Sequence, residues 1–173
     1  MDRLWTPWRY QYITGESGEK SGADHSSASC IFCTLPQQDP AHDERNYILQ
    51  RARHNFVVLN LYPYTSGHLL IIPYEHTSEL ASVAKAATDE LMDLAKRAQI
   101  VLGEAYRPDG YNLGMNLGRA AGAGVAAHVH LHVMPRWAGD ANFMSTVGET
   151  RVLPEDLQTT YQKLRDKFYN SDK

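Results

Sequence analysis

Between residues 47 and 72 the apolar positions gather into three short blocks, Tyr47-Ile48-Leu49, Phe56-Val57-Val58-Leu59 and His68-Leu69-Leu70-Ile71-Ile72, bounded by Asn, Pro and Gly. Blocks of that length, rich in β-branched and aromatic side chains, predict strands. The pattern changes at Thr88-Asp89-Glu90, after which Leu91, Leu94, Ala95, Ala98, Val101, Leu102 and Ala105 recur at helical spacing as far as Pro108-Asp109-Gly110. This predicts one long amphipathic helix that starts at Thr88 with acidic residues in its first turn. Residues 111–116 and 127–134 read as two further strands around the glycine- and alanine-rich stretch 118–124, and Pro154 opens a last helix with Leu157, Tyr161, Leu164 and Phe168 on one face. The order predicts an α+β domain built on an antiparallel sheet of about five strands, with one long helix and a C-terminal helix.

Within the last predicted strand, His128-Val129-His130-Leu131-His132-Val133-Met134 sets three histidines at period two. On a strand they project from one face, while Val129, Leu131 and Val133 face a core. Three adjacent imidazoles are costly to bury as charged groups, so the arrangement calls for a metal, a ligand or a proton relay. A neutral imidazole whose second nitrogen donates to a fixed acceptor can attack phosphorus, and its neighbours can donate to the phosphate oxygens. On spacing alone, a His-rich surface strand or a nonspecific metal site remains the alternative.

The first 13 residues crowd Leu4, Trp5, Pro7, Trp8, Tyr10, Tyr12 and Ile13 together, and residues 15–29 are rich in Gly, Ser and charge. We read residues 1–29 as an aromatic arm, docked on the body or on a partner subunit, followed by a mobile loop, and residues 30–173 as the folded domain. A length of 173 residues with 43% hydrophobic side chains suits one such domain. The net charge of −3 argues against a nucleic-acid backbone binder, yet a local cluster of donors still admits a small anion. No run approaches a membrane span and the start lacks a secretory signal, so a cytoplasmic protein without membrane association is expected. Cys30 and Cys33 have the spacing of metal or redox chemistry in a reducing compartment.

The His-apolar-His-apolar-His-apolar-apolar run resembles the signature of the histidine-triad (HIT) superfamily. The resemblance extends upstream to Asn60-Leu61-Tyr62-Pro63, Gly67-His68-Leu69-Leu70-Ile71-Ile72-Pro73 and His76, and covers about residues 30–143. It implies a HIT-like fold and a nucleotidyl transferase or hydrolase working through a covalent nucleotidyl-histidine. His130 matches the nucleophile, His132 the histidine that hydrogen-bonds the reacting phosphate, and His68 a histidine that approaches the same phosphate. Asn60 stands where many members hold the ribose with Asp. Ile31, Phe32 and Leu59 would line the base pocket, with plain core packing as the alternative.

Where many members carry Gly-Gln-Ser, this chain has Gly122-Ala123-Gly124-Val125, so Gly124 and Val125 would serve through backbone N–H groups rather than side chains; the alternative is a loop without ligand contact. Asn116-Leu117-Gly118-Arg119 and the segment 135–143 resemble the branch containing bacterial diadenosine tetraphosphate phosphorylases. In that branch Asn116 and Trp137 would contact substrate, and Arg119 or Arg136 would either neutralise distal phosphates or remain solvated. Resemblance to some bacterial members implies a structural zinc on Cys30, Cys33, His76 and His128, against a metal-free or redox Cys pair. No organic cofactor is expected, and a homodimer or larger assembly is. The implied substrate is a small nucleotide, with inorganic phosphate or water as the second reactant. A nucleoside phosphoramidate hydrolase and a non-catalytic nucleotide-binding module are the competing readings.

Overall fold

The computed structural model describes residues 27–148 and 152–170; the aromatic arm of the sequence lies outside them. A short helix α1 (Ile31–Thr34) leads through two 3-10 turns to strands β1 (Ile48–Arg51), β2 (Asn55–Leu59) and β3 (Leu69–Pro73). The long helix α2 (Lys85–Tyr106) follows, then β4 (Gly110–Gly114), β5 (Leu131–Arg136), the single-turn α3 (Phe143–Thr146) and α4 (Leu157–Asn170). The sheet has the order β1-β2-β3-β5-β4, and every neighbouring pair is antiparallel. This is the α+β architecture expected from the pattern of apolar blocks.

Alternation along the strands divides the core in two. Val57, Leu59, Leu69, Ile71, Leu131 and Val133 face α2 and α4, meeting Leu91, Leu94, Ala98, Leu102, Leu164 and Phe168. On the other face Ile48, Phe56, Val58, Leu70 and Ile72 pack with Cys30, Phe32 and Cys33. Because Leu70 pairs with His132 in the β3–β5 register, His132 lies on this second face, beneath α1.

The strand ends shift by one or two residues, and three larger boundary differences from the sequence reading matter to the architecture. Helix α2 begins at Lys85 rather than Thr88, and the Ala84 carbonyl accepts from the Ala87 and Thr88 N–H groups. The extra turn buries Ala87 to 4% exposure and pairs Lys85 with Asp89. Glu90 does more than favour the helix start: its carboxylate accepts from the N–H groups of Arg53 and His54 and from the Asn55 amide, capping the β1–β2 turn. Helix α4 likewise begins at Leu157 rather than Pro154.

The third difference bears on the site. Strand β5 starts at Leu131 and not at residue 127, so only His132 of the triad lies in the ladder. The β3–β5 register runs out at Ile71↔Leu131, and continuing it would oppose Pro73, which has no N–H to donate. Residues 128–130 are tied instead to the loop after β3, with the Val129 N–H donating to the Thr77 carbonyl at 2.7 Å.

Candidate active site and metal centre

All three triad histidines are buried, as is His68. They share the α1 side of the sheet: the Phe32 ring meets those of His128 and His130 at 5.7 and 5.1 Å, and His130 meets His132 at 4.9 Å. Period two thus places the imidazoles as expected even though the ladder begins after His130, and Val129, Leu131 and Val133 are buried between them.

Hydrogen bonds fix the tautomers. His130 Nδ1 lies 2.8 Å from the His128 carbonyl oxygen, which can only accept, so Nδ1 carries the proton and Nε2 the lone pair. His68 Nδ1 accepts from the Tyr64 N–H at 3.1 Å; its Nε2–H therefore donates to His132 Nδ1 at 2.9 Å. That leaves the proton of His132 on Nε2, a buried atom with no hydrogen-bond partner among the described residues. Burial lowers the pKa of His130 and of His128, and burial, then the charge of His130, lowers that of His132 to about 4. The site holds a neutral imidazole lone pair beside an N–H donor awaiting an acceptor, the pairing needed for attack on phosphorus with charge developing on its oxygens.

Next to this pair, Cys30, Cys33, His76 and His128 offer ligand atoms that all lie within 4.8 Å of one another. The Cys30 Sγ–His128 Nδ1, Cys33 Sγ–His128 Nδ1 and Cys33 Sγ–His76 Nδ1 distances are 3.4, 3.5 and 3.1 Å. Bonds of about 2.3 Å to sulfur and about 2.0 Å to nitrogen at a tetrahedral centre would set S and N roughly 3.5 Å apart, so the cluster fits zinc. His128 Nε2 donates to the Pro73 carbonyl at 2.9 Å, which turns the Nδ1 lone pair toward the sulfurs, the usual outer support of a ligating histidine. The thiols are free, and burial, then Cys30, pushes the Cys33 thiol up to about 11. Two buried thiols facing imidazole lone pairs are a donor set suited to a cation.

The remaining residues singled out by sequence are placed unequally. Phe32 packs on the triad rings and Ile31 beside it is half exposed. Asn60 approaches His68 Nδ1 through its amide at 3.3 Å and accepts from the Tyr62 N–H. Leu59 is the exception among the base-pocket residues: its side chain belongs to the core under α2, on the opposite side of the sheet, because strand alternation turns it away from Val58. Asn116 follows two residues after Gly114, which pairs with His132. In the glycine-rich loop, the N–H groups of Ala121, Gly122 and Ala123 are taken by the carbonyls of Gly118 and Arg119, so they form no anion cradle. Gly124 is exposed, and a Cβ at that position would meet nothing within 4 Å; Val125 packs against the Phe32 cluster.

Trp137 is not brought to His130. Seven residues of extended chain, ~23 Å, separate them, and the indole meets Tyr106 edge-on at 6.2 Å. Arg136 is engaged by Asp140 through two nitrogens and by Asn112 through the third, and that guanidinium holds the Asp140 carboxyl down at about 2. Its charge is therefore matched by protein rather than available for phosphate. Arg119 is exposed in the 3-10 turn beside the cluster. Sequence reasoning missed Tyr64 and Ser66, which line a cavity of about 810 Å³ with Met134, Arg136 and Trp137. Tyr64 also stacks on His132, and the buried Ser66 hydroxyl has no partner among the described residues. Their signal was adjacency to His68 in the same loop.

Comparison with known proteins agrees with the geometry. Residues 43–139 match the HIT domain. The chain is 38% identical over 168 residues to AP-4-A phosphorylase of Mycobacterium tuberculosis, spanning 97% of this chain and 85% of that protein. It is 31% identical over 109 residues to adenosine 5'-monophosphoramidase HNT1 of Saccharomyces cerevisiae, 63% of each. Among solved structures, a zinc-bound histidine triad family protein from Mycobacterium smegmatis superimposes with a TM-score of 0.66 at 28% identity, covering 85% of this chain and 98% of that one. No helix among the described residues is long and apolar enough to cross a membrane. With the family model matched over more than half of this chain and a relative 38% identical along nearly all of it, the chain belongs to the HIT family.

Proposed function

We propose that this enzyme cleaves adenosine polyphosphates such as diadenosine tetraphosphate through a nucleotidyl-His130 intermediate. The observation that carries the reading is the 2.8 Å bond from His130 Nδ1–H to the His128 carbonyl, which leaves Nε2 as the nucleophile. The Nε2 lone pair forms a bond to the α-phosphorus; the bond from that phosphorus to the bridging oxygen breaks, and ATP leaves with the electron pair. His132 Nε2–H donates to a nonbridging phosphate oxygen, and His68 keeps His132 in the donating tautomer. An oxygen of inorganic phosphate then attacks the adenylyl phosphorus, the P–N bond breaks, and ADP departs. Water in that role would release AMP.

The 38% identity to AP-4-A phosphorylase over nearly the whole chain favours phosphate. Ile31, Phe32 and Asn60 are the proposed contacts to the nucleoside, and Gly124 and Val125 those to the phosphate chain. Asn116 remains a proposed substrate contact from its place beside Gly114. The cavity beside Tyr64 offers a path by which the distal half of a long substrate reaches Trp137. Zinc on Cys30, Cys33, His76 and His128 would pin α1 against the triad without entering the reaction. A cytoplasmic homodimer or larger assembly completes the proposal; the exposed Leu113 and Leu117, on and just beyond the outer strand β4, support an assembly.

Chromatography of products from diadenosine tetraphosphate, with and without inorganic phosphate, tests this reading. ADP and ATP formed only with phosphate is the expected result, lost in His130→Ala. AMP and ATP without phosphate would make the enzyme a hydrolase. The likeness to the yeast phosphoramidase supports a second reading, cleavage of a P–N bond to AMP, which prevails if only adenosine phosphoramidates turn over.

A further inference from the structure

The peptide plane joining His128 to Val129 touches both the metal cluster and the nucleophile. Its carbonyl oxygen receives the Nδ1–H of His130 at 2.8 Å, and its N–H donates to the carbonyl of Thr77 at 2.7 Å. Thr77 follows His76 directly in the chain, and the plane itself begins at His128, so each end is anchored one step from a residue of the cluster. The His128 ring is held at both nitrogens, by Pro73 at Nε2 and by the two sulfurs around Nδ1. No ladder bond of β5 reaches this plane, because the register with β3 ends at Leu131. Its orientation therefore depends on Thr77 at its N–H and on how the His128 ring is held, by Pro73 at the end of β3 and by the sulfurs around Nδ1, rather than on any ladder bond.

We infer that His128 is a positioning residue: by binding metal through Nδ1 while its carbonyl receives the His130 proton, it makes the tautomer of His130 depend on occupancy of the cluster. The inference rests on His130 being the nucleophile, but its signature precedes any chemistry. Without a fixed carbonyl, His130 has no reason to keep its proton on Nδ1, and a ring protonated on Nε2 has no lone pair to offer phosphorus. The neighbouring pair is insulated, since the Tyr64 N–H sets the tautomer of His68 and, through it, that of His132.

Long-range proton–nitrogen correlation spectra of 15N-histidine-labelled, zinc-loaded protein test this, with ring signals assigned by His130→Ala and His68→Phe. In the loaded protein His130 should show a single tautomer, protonated on Nδ1. After zinc is stripped with a strong chelator, it should shift to a mixture of both tautomers while His68 and His132 keep theirs, and zinc should restore the first spectrum. His130 signals that ignore the metal in folded protein would overturn the inference, as would rings of all three residues changing together, the mark of general loosening. If the stripped protein unfolds, cadmium exchange decides: the larger ion should move the His130 nitrogens and leave those of His68 in place, and no movement at His130 overturns it. Because no substrate is present, the outcome is separate from the turnover assay, in which activity surviving in His130→Ala would instead remove the reading of His130 as nucleophile.

Discussion

The Nε2–H of His68 donates to Nδ1 of His132 across 2.9 Å, and the direction of that bond is set by the Tyr64 N–H seated on the other nitrogen of His68. A backbone amide in a loop thus decides which atom of a strand residue carries the proton. Polar pairs of this kind matter through the partner left behind when one is removed. Replacing His68 with Phe should leave the fold intact but free the His132 ring to turn. We expect kcat for nucleotide cleavage to fall on the order of 100-fold with a smaller change in KM, the loss typical of one transition-state donor. Steady-state kinetics check this; an unchanged kcat would mean that His132 is oriented by something else.

The pH dependence of stability has a defined sign. Burial and the neighbouring His130 hold His132 at about 4, below the ~6.5 of an unfolded histidine. Between those values the unfolded chain binds a proton that the native protein refuses. The contribution of His132 is therefore present above pH ~6.5 and lost as pH falls toward 4, at up to ~1.4 kcal/mol per pH unit. Urea unfolding at pH 7.5, 6 and 5 should show wild type losing stability faster than His132→Asn, and parallel losses would contradict the assignment.

Glu90 reaches from α2 to three donors at the β1–β2 turn, at 3.0, 2.7 and 2.8 Å. Burial alone would raise its pKa, but the bonds from Asn55, His54 and Arg53 bring it below the ordinary range. Glu90→Ala should destabilise the protein by ~2 kcal/mol, while Glu90→Gln, which keeps one acceptor oxygen, should cost less. Chemical denaturation measures both, and equal losses would show that a single neutral acceptor oxygen contributes nothing without the carboxylate.

Gly67 sits at φ +76 immediately before His68, and a Cβ there would meet Leu102 at 3.0 Å and Pro135 and Tyr106 at 3.2 Å. Both the backbone conformation and the space exclude a side chain. Gly67→Ala should cost ~1–3 kcal/mol and lower kcat by displacing His68. Thermal unfolding paired with kinetics tests the coupling; a stable variant with normal turnover would show that the loop absorbs the methyl group.

Strand identity and the two faces of the sheet were legible because apolar blocks and period-two alternation are local properties. The triad face was readable for the same reason, since His130 and His132 alternate with Leu131. What alternation alone did not reveal was where the ladder ends: the stop at Leu131 depends on Pro73, which faces that stretch only after folding. Leu59 misled because proximity to Asn60 in sequence says nothing about facing, and alternation should have sent it to the helical side with Val57. Trp137 and Arg136 have the sequence positions of substrate contacts, yet Tyr106 and Asp140, from another element and from the following turn, engage them. The Cys and His positions of the metal cluster could be matched by resemblance, but their convergence required three separate segments to meet.

Cys30 and His128 lie 98 residues apart in the chain and 3.4 Å apart at their ligand atoms. Between them lie the first three strands, the long helix and β4, so the donors converge only after nearly all non-local pairing is complete. Contacts of such sequence separation form late, since loop closure must be offset before they stabilise anything. High-affinity metal capture would then be among the last events of folding and would report a finished β3–β5 pairing. A misregistered chain would keep its cysteines together but fail to deliver His128, and would hold the ion too weakly to survive competition from a chelator.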